Sequence, residues 1–155
     1  MKKIIATALL INLITAMYSQ NKNMEKMEKR TINPWTWQKE RSYHQAVEVT
    51  HASGTLYVSG QTAIDDEGIS SDADMKTQLE LAIKNLERVI TEAGYDCKNI
   101  VRLNIYTTST EALWPHFNIL QEWVEKKGMQ QALTLLEVVS LFETLTVELE
   151  ATVVK

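Results

Sequence analysis

Near the carboxyl end, residues 146–153 read Thr-Val-Glu-Leu-Glu-Ala-Thr-Val, with apolar and polar side chains largely in alternation. Successive side chains of a β-strand point to opposite faces of a sheet. The apolar residues from Val147 to Val153 would therefore share one face, and Glu148 and Glu150 the other. We predict a strand with one face in a core and a carboxylate-bearing face outside it.

Four earlier stretches also have the composition of β-strands: residues 45–50, 55–59, 99–107 and 133–139. Ser53-Gly54 stands between the first two, and such a pair is typical of a turn. We therefore predict that the first two strands form a hairpin.

Two segments between these strands have the three- and four-residue apolar spacing of amphipathic helices. The first would begin with Ser71 or Asp72 as its N-cap and end near Ala93, because Gly94 supplies a left-handed stop. The second covers about residues 113–127. Its apolar face is formed by Trp114, Phe117, Leu120 and Val124, and we expect Trp114 to pack in the core.

The order strand, strand, helix, strand, helix, strand, strand predicts one α+β sandwich over residues 33–155. Both helices are long enough to cross over and cover one face of a single sheet. The other face is too rich in Val, Leu and Tyr to be wholly wetted. We expect the chain to associate with further copies of itself through its sheets.

Composition sets limits on the partners. The chain has 155 residues, 45% hydrophobic and 23% charged, which fits one ordinary domain and excludes a disordered or collagen-like chain. With 16 Lys+Arg against 20 Asp+Glu, the net charge of -4 gives no positive field for a phosphate backbone. We expect no nucleic-acid partner.

Metal-binding patterns are missing from the sequence. Cys97 is the single cysteine, so neither an intrachain disulfide nor a thiolate cluster can form. His44, His51 and His116 lack the spacing of a helical zinc pair. We therefore expect no bound metal.

The amino terminus has the pattern of a signal peptide over residues 1–20. Lys2 and Lys3 precede an apolar run that is too short and too interrupted to span a bilayer. Residues 21–32 would then be a polar spacer, and the processed protein would be periplasmic or secreted, without a membrane partner. In the alternative, translation starts at Met24 or Met27, residues 1–20 are a gene-model extension, and the protein is cytoplasmic.

Five blocks of the sequence, in order, resemble the Rid/YjgF family of small trimeric proteins, whose best-studied members hydrolyse enamines and imines left by pyridoxal-phosphate enzymes. The blocks are Arg-Ser-Tyr-His-Gln-Ala at 41–46, Leu-Tyr-Val-Ser-Gly-Gln at 56–61, the helix 78–94, Asn-Ile-Val-Arg at 99–102, and Leu-Glu-Val at 136–138 followed by Val-Glu-Leu-Glu-Ala at 147–151. The resemblance implies a chorismate-mutase-like subunit with a single-layer sheet. Three subunits would form a barrel with small-molecule clefts between neighbours and no cofactor.

The resemblance also implies site residues. Tyr43 matches the family's pocket tyrosine, Gly60 its pocket glycine, and Glu148 the glutamate that positions water, so Tyr43 and Glu148 are the candidate catalytic residues. The candidate substrate-binding residues are Gly60, Leu133, Leu135 and Arg102. Glu148 has a simpler alternative role as a solvated or intersubunit carboxylate.

Leu133 stands where the family has the arginine that holds the substrate carboxylate, and Leu135 where it has a cysteine. Leucine cannot supply a charge-assisted hydrogen bond of ~1.5–3 kcal/mol. This predicts a preference for neutral or less acidic ligands. In the alternative, Arg41 or Arg102 replaces the missing charge. If neither arginine does so, we expect both to form surface ion pairs. Three functions stay open: imine or enamine hydrolysis, ligand binding without catalysis, and an exported structural or interaction role.

Overall fold

The computed structural model describes residues 26–155, so the predicted signal peptide or extension over residues 1–20 lies outside the described residues. The strands are β1 Glu28–Ile32, β2 Ala46–Thr50, β3 Thr55–Gln61, β4 Ile100–Thr107, β5 Ala132–Glu137 and β6 Val147–Val154. The helices are α1 Met75–Glu92, the single turn α2 Thr110–Leu113, and α3 Phe117–Lys127. Short 3-10 helices cover Trp37–Arg41, Cys97–Asn99 and Trp114–His116.

A four-stranded sheet in the order β3-β6-β4-β5 carries the domain. β6 is antiparallel to both β3 and β4, and β4 is parallel to β5. The apolar side chains of β6 are buried alternately, as predicted, and they join one core with residues of α1 and α3. Both long helices therefore pack on one face of the sheet, which confirms the α+β fold.

The predicted hairpin between the first two strands is wrong. β2 pairs with β1 in a separate two-stranded sheet, and β3 pairs with β6. The backbone amides of Ser53 and Gly54 both donate to the carbonyl of Lys155, so the turn residues fasten β3 to the end of β6. This pairing places Leu56 opposite Val153, whose side chain is wholly buried. Burial of apolar surface outweighs the local turn preference.

The expected spacer over residues 21–32 contributes a strand. β1 lies within it, and the Arg30 guanidinium on β1 donates to the Glu48 carboxylate on β2 at 2.6 Å. Nearby, Asn33 Oδ1 accepts a hydrogen bond from the Gln45 amide. These contacts make residues 28–32 part of the folded unit.

The first helix begins later than predicted. Asp74, not Ser71 or Asp72, is its N-cap, because the Asp74 carboxylate accepts from the Thr77 amide at 2.8 Å. Gln78 in the first turn is buried, and its Oε1 accepts from the backbone amide of Thr146, which ties α1 to the sheet.

The second predicted helix is interrupted at Trp114–His116 by a 3-10 turn that has Pro115 as its second residue. Trp114 is 64% exposed, so its expected role in the core is wrong. Trp123 packs in the core instead, and its indole Nε1 donates to Glu87 at 2.6 Å. A 3-10 turn has fewer residues per turn than an α-helix, so the apolar face of the predicted helix does not continue through it. Trp114 therefore points outwards.

The edges of the sheet position the candidate site. β3 and β5 are the two edge strands, and three strand spacings of ~4.8 Å separate them. The segment around His44 runs beside β5, where the His44 amide donates to the Gln131 carbonyl at 2.9 Å. Within the described residues, no helix is long and apolar enough to cross a bilayer.

Candidate functional site

Glu148 on β6 lies against the backbone of Gly60 on β3. The strand pairing shifts register between Val58 and Gln61, next to this contact. A Cβ atom added to Gly60 would come within 2.8 Å of the Glu148 Cγ, and its carboxylate is closer still. The close approach requires glycine here. In the part of the chain that the structure describes, no group donates a hydrogen bond to the Glu148 carboxylate, so its oxygens can bind water or a ligand.

The neighbouring Glu150 is engaged by other side chains. Tyr106 donates its hydroxyl to Glu150 at 2.9 Å, and Asn104 donates its amide to the same oxygen at 3.2 Å. The hydrogen bond to Glu150 raises the pKa of Tyr106, and burial and the nearby negative charges add to the shift. Of the two carboxylates on this open face, Glu148 is the one available for chemistry.

Tyr43 lines a cavity of about 560 Å³ on the other side of the sheet. Leu133 and Leu135 on β5 form part of its wall, because their register with Leu103 and Ile105 directs them to the helix-covered face. The remaining lining residues are Glu40, Arg41, Trp114, Pro115, Phe117, Asn118 and Gln121. The structure thus brings together three of the predicted site residues.

Trp37 connects two residues of this cavity. Its ring meets the Tyr43 ring edge-on, with centroids 6.3 Å apart, and the Arg41 guanidinium lies 5.2 Å from its centroid. Aromatic and cation-π contacts of this kind restrain both side chains. Trp37 therefore contacts both Tyr43 and Arg41.

His44 lines a second cavity, of about 460 Å³, on the other side of Tyr43. Its Nδ1 lies 2.9 Å from the side-chain amide nitrogen of Asn33, which makes Nδ1 the acceptor. Burial lowers the pKa of His44 below its ordinary value, so the imidazole is neutral near pH 7.

The two candidate arginines lie in different places. Arg41 lines the Tyr43 cavity, whereas Arg102 is exposed on the open face and donates to the Thr134 hydroxyl at 3.3 Å. Arg102 does not line either cavity beside Tyr43. Between these two residues, only Arg41 shares a cavity with Leu133.

The site residues form two groups within one chain. Gly60 and Glu148 lie on the open face near the β3 edge, and Tyr43, Leu133 and Leu135 lie at the β5 edge and the helix-covered face. A single copy therefore does not unite the two groups.

Within residues 26–155 there is no group of three His, Cys, Asp or Glu side chains arranged to hold a metal ion.

Trp114, Pro115 and Phe117 form part of the wall of the Tyr43 cavity, although the apolar spacing of this segment predicts a core-facing helix. Pro115 was the available signal, because proline inside a helical pattern ends or kinks the helix and can redirect the residue before it.

The fold defines a class: an α+β subunit with a four-stranded sheet that is covered by helices on one face. The chain belongs to the family described as Endoribonuclease L-PSP, the YjgF/Rid family, whose sequence profile matches residues 37–155.

Individual relatives agree with this assignment. A RutC family protein of Aquifex aeolicus is 31% identical over 113 residues, which cover 73% of this chain and 88% of the relative. The crystal structure of YyfB from Yersinia pestis, a Rid protein of unknown function, superposes with a TM-score of 0.67 at 26% identity, over 82% of this chain and 98% of that one. The YjgF gene product of E. coli, 21% identical, shares the fold with a TM-score of 0.59 over 73% and 87% of the two chains.

Proposed function

We propose that three copies of this chain form a homotrimer that hydrolyses a small imine or enamine at each interface. The observation that carries this proposal is the unengaged Glu148 carboxylate lying over Gly60. The reaction consumes only water, so the proposed chemistry requires no cofactor or metal.

The composite cleft follows from the edges of the sheet. Glu148 and Gly60 of one copy face the open side, and Tyr43, Leu133 and Leu135 line a cavity at the opposite edge. If the β3 edge of one copy approaches the β5 edge of the next, the two half-sites form one cleft. The partly apolar open face gives a reason for such contact, since Leu136 is 50% and Tyr57 80% exposed in the single copy.

Glu148 would act as a general base. Its carboxylate accepts a proton from water as the water oxygen bonds to the imine carbon, the electron pair of the C=N π bond moves to nitrogen, and Glu148 passes the proton to that nitrogen. Glu148 then takes the hydroxyl proton of the resulting carbinolamine and passes it to the amino nitrogen, so that the C–N bond breaks, ammonia leaves with the electron pair of that bond, and the carbonyl forms. Tyr43 would donate a hydrogen bond in the pocket.

Leu133 supports a second candidate, a ligand-binding trimer without catalysis. Loss of the family's carboxylate-binding arginine at this position would leave a pocket that holds small molecules but does not turn over 2-iminopropanoate.

RNA cleavage, which the family's description names, has less support. If translation starts at Met24, Lys2, Lys3 and Lys22 are absent, and 13 basic residues stand against 20 acidic ones. The resulting net charge of -7 would not attract a phosphate backbone.

The test compares the hydrolysis of 2-iminopropanoate, generated in situ, by the wild type and by Glu148→Ala, Leu133→Arg and the exposed-site control Ser59→Ala. We expect the wild type and Ser59→Ala to accelerate hydrolysis and Glu148→Ala to lose about 100-fold. A silent wild type with activity restored by Leu133→Arg would instead identify the non-catalytic alternative. Analytical ultracentrifugation at micromolar concentration should give a trimer, and a stable monomer would contradict the composite cleft.

A further inference from the structure

We infer that Arg41 is the carboxylate-recognising residue of the Tyr43 cavity, and that the site takes 2-imino acids with a bulky aromatic or apolar side chain. This inference rests on the proposed function and specifies its substrate class. Of the two alternatives that the sequence predicts, we favour the one in which another basic residue replaces the charge missing at Leu133.

Arg41 is the arginine whose guanidinium is free to bind an anion at the cavity. Arg30 pairs with Glu48, and Arg88 pairs with Asp66 and Glu92. In the described part of the chain, Arg41 forms no ion pair or side-chain hydrogen bond, and its guanidinium lies over the Trp37 ring. A guanidinium stacked on an aromatic face keeps its N–H groups directed outward in its plane, which suits bidentate binding of a carboxylate.

The second charge at the cavity is Glu40, beside Arg41 in the 3-10 helix Trp37–Arg41. Two opposite charges on neighbouring residues of a cavity wall match a ligand that carries both signs. A protonated 2-imino acid does so, because its carboxylate and its iminium nitrogen are attached to adjacent carbons. A neutral ligand would leave both charges without a partner.

Much of the remaining cavity wall is apolar. The Trp114 ring is 64% exposed and lies 4.9 Å from the Phe117 ring, measured between centroids. Pro115, Leu133 and Leu135 complete this wall. The volume of about 560 Å³ is within the range of sites for drug-sized ligands. The smallest imino acids would leave this wall uncovered, whereas a phenyl or branched alkyl group would cover it.

Calorimetric titration of the full chain in its native assembly tests the charged and the apolar parts of the cavity wall with three non-hydrolysable probes. Phenylpyruvate has the carboxylate and the ring, 2-oxobutanoate lacks the ring, and phenylacetone lacks the carboxylate. We expect phenylpyruvate to bind about tenfold or more tighter than either of the others. Arg41→Gln should weaken phenylpyruvate about tenfold and leave phenylacetone unchanged, and Glu40→Gln should strengthen phenylpyruvate.

Two variants control for charge and for folding. Arg30→Gln makes the same charge change on the distant β1 and should leave all three affinities unchanged. Trp114→Ala should remove the advantage of phenylpyruvate over 2-oxobutanoate, and Trp114→Phe, which keeps an aromatic ring, should retain most of it. Circular dichroism confirms that each variant is folded.

The inference is overturned if phenylacetone binds as tightly as phenylpyruvate, if Arg41→Gln and Arg30→Gln behave alike, or if no probe binds the wild type. The failure of the proposed function is a separate result. A protein that binds phenylpyruvate through Arg41 but does not accelerate imine hydrolysis would keep the ligand class and lose the catalysis.

Discussion

Replacing Gly60 by alanine should displace the Glu148 carboxylate. The added Cβ would lie 2.8 Å from the Glu148 Cγ, whereas ordinary contact begins at 3.4 Å, so the Cγ must withdraw by about 0.6 Å and the closer carboxylate by more. A displacement approaching 1 Å at a reacting group lowers rates about 100-fold, equivalent to about 2.7 kcal/mol. Because the new Cβ meets a flexible, half-buried side chain and not the backbone, the loss of stability should lie at the lower end of the ~1–3 kcal/mol that overpacking costs.

A double-mutant cycle separates these two effects. Urea unfolding measures the free energy of unfolding of the wild type, Gly60→Ala, Glu148→Ala and the double variant, and imine hydrolysis measures activity in the same four proteins. Because Glu148→Ala removes the atoms that the new Cβ would meet, adding Gly60→Ala to it should change stability by less than about 0.5 kcal/mol. Ser59→Ala, at the neighbouring exposed position of β3, is the control.

Equal destabilisation of the wild type and of the Glu148→Ala background by Gly60→Ala would contradict this prediction. In that case the penalty would arise from the β3 backbone and not from the contact with Glu148. Full activity in a folded Gly60→Ala variant would refute the catalytic role of the Glu148 position.

Two further predictions concern stability. Asp74→Ala removes the cap that accepts from Thr77 and should lower Tm by roughly 4 °C, while Asp72→Ala, outside the helix, should have a much smaller effect in the same thermal scan. The folded-state pKa of His44 is lowered by burial, so as pH falls below 6.5 the unfolded chain takes up the proton first and stability drops until the folded pKa is passed. Urea unfolding at pH 7 and pH 5 should show a smaller loss for His44→Asn than for the wild type, and equal losses would contradict the assignment.

Much of the fold could be predicted because it follows from local patterns. The alternation around Leu149 identified a half-buried strand, and the helical spacing before Gly94 identified the first helix, since side-chain direction is set by backbone geometry within a few residues. Errors arose where local signals competed with distant ones. The Ser53-Gly54 turn was interpreted as a hairpin, yet its amides bind Lys155 at the other end of the chain.

The sequence alone identifies the family and the alternation that puts Glu148 and Glu150 on one face, and its resemblance to the family predicts that Leu133 stands in the place of an arginine. The cavity that Arg41, and not Arg102, shares with Leu133 is visible only in the tertiary structure. Residue types and periodicity are properties of neighbouring positions, so a sequence states them directly. Which distant segments share a cavity depends on strand order and on helix interruptions, and these are decided by the burial of the whole core.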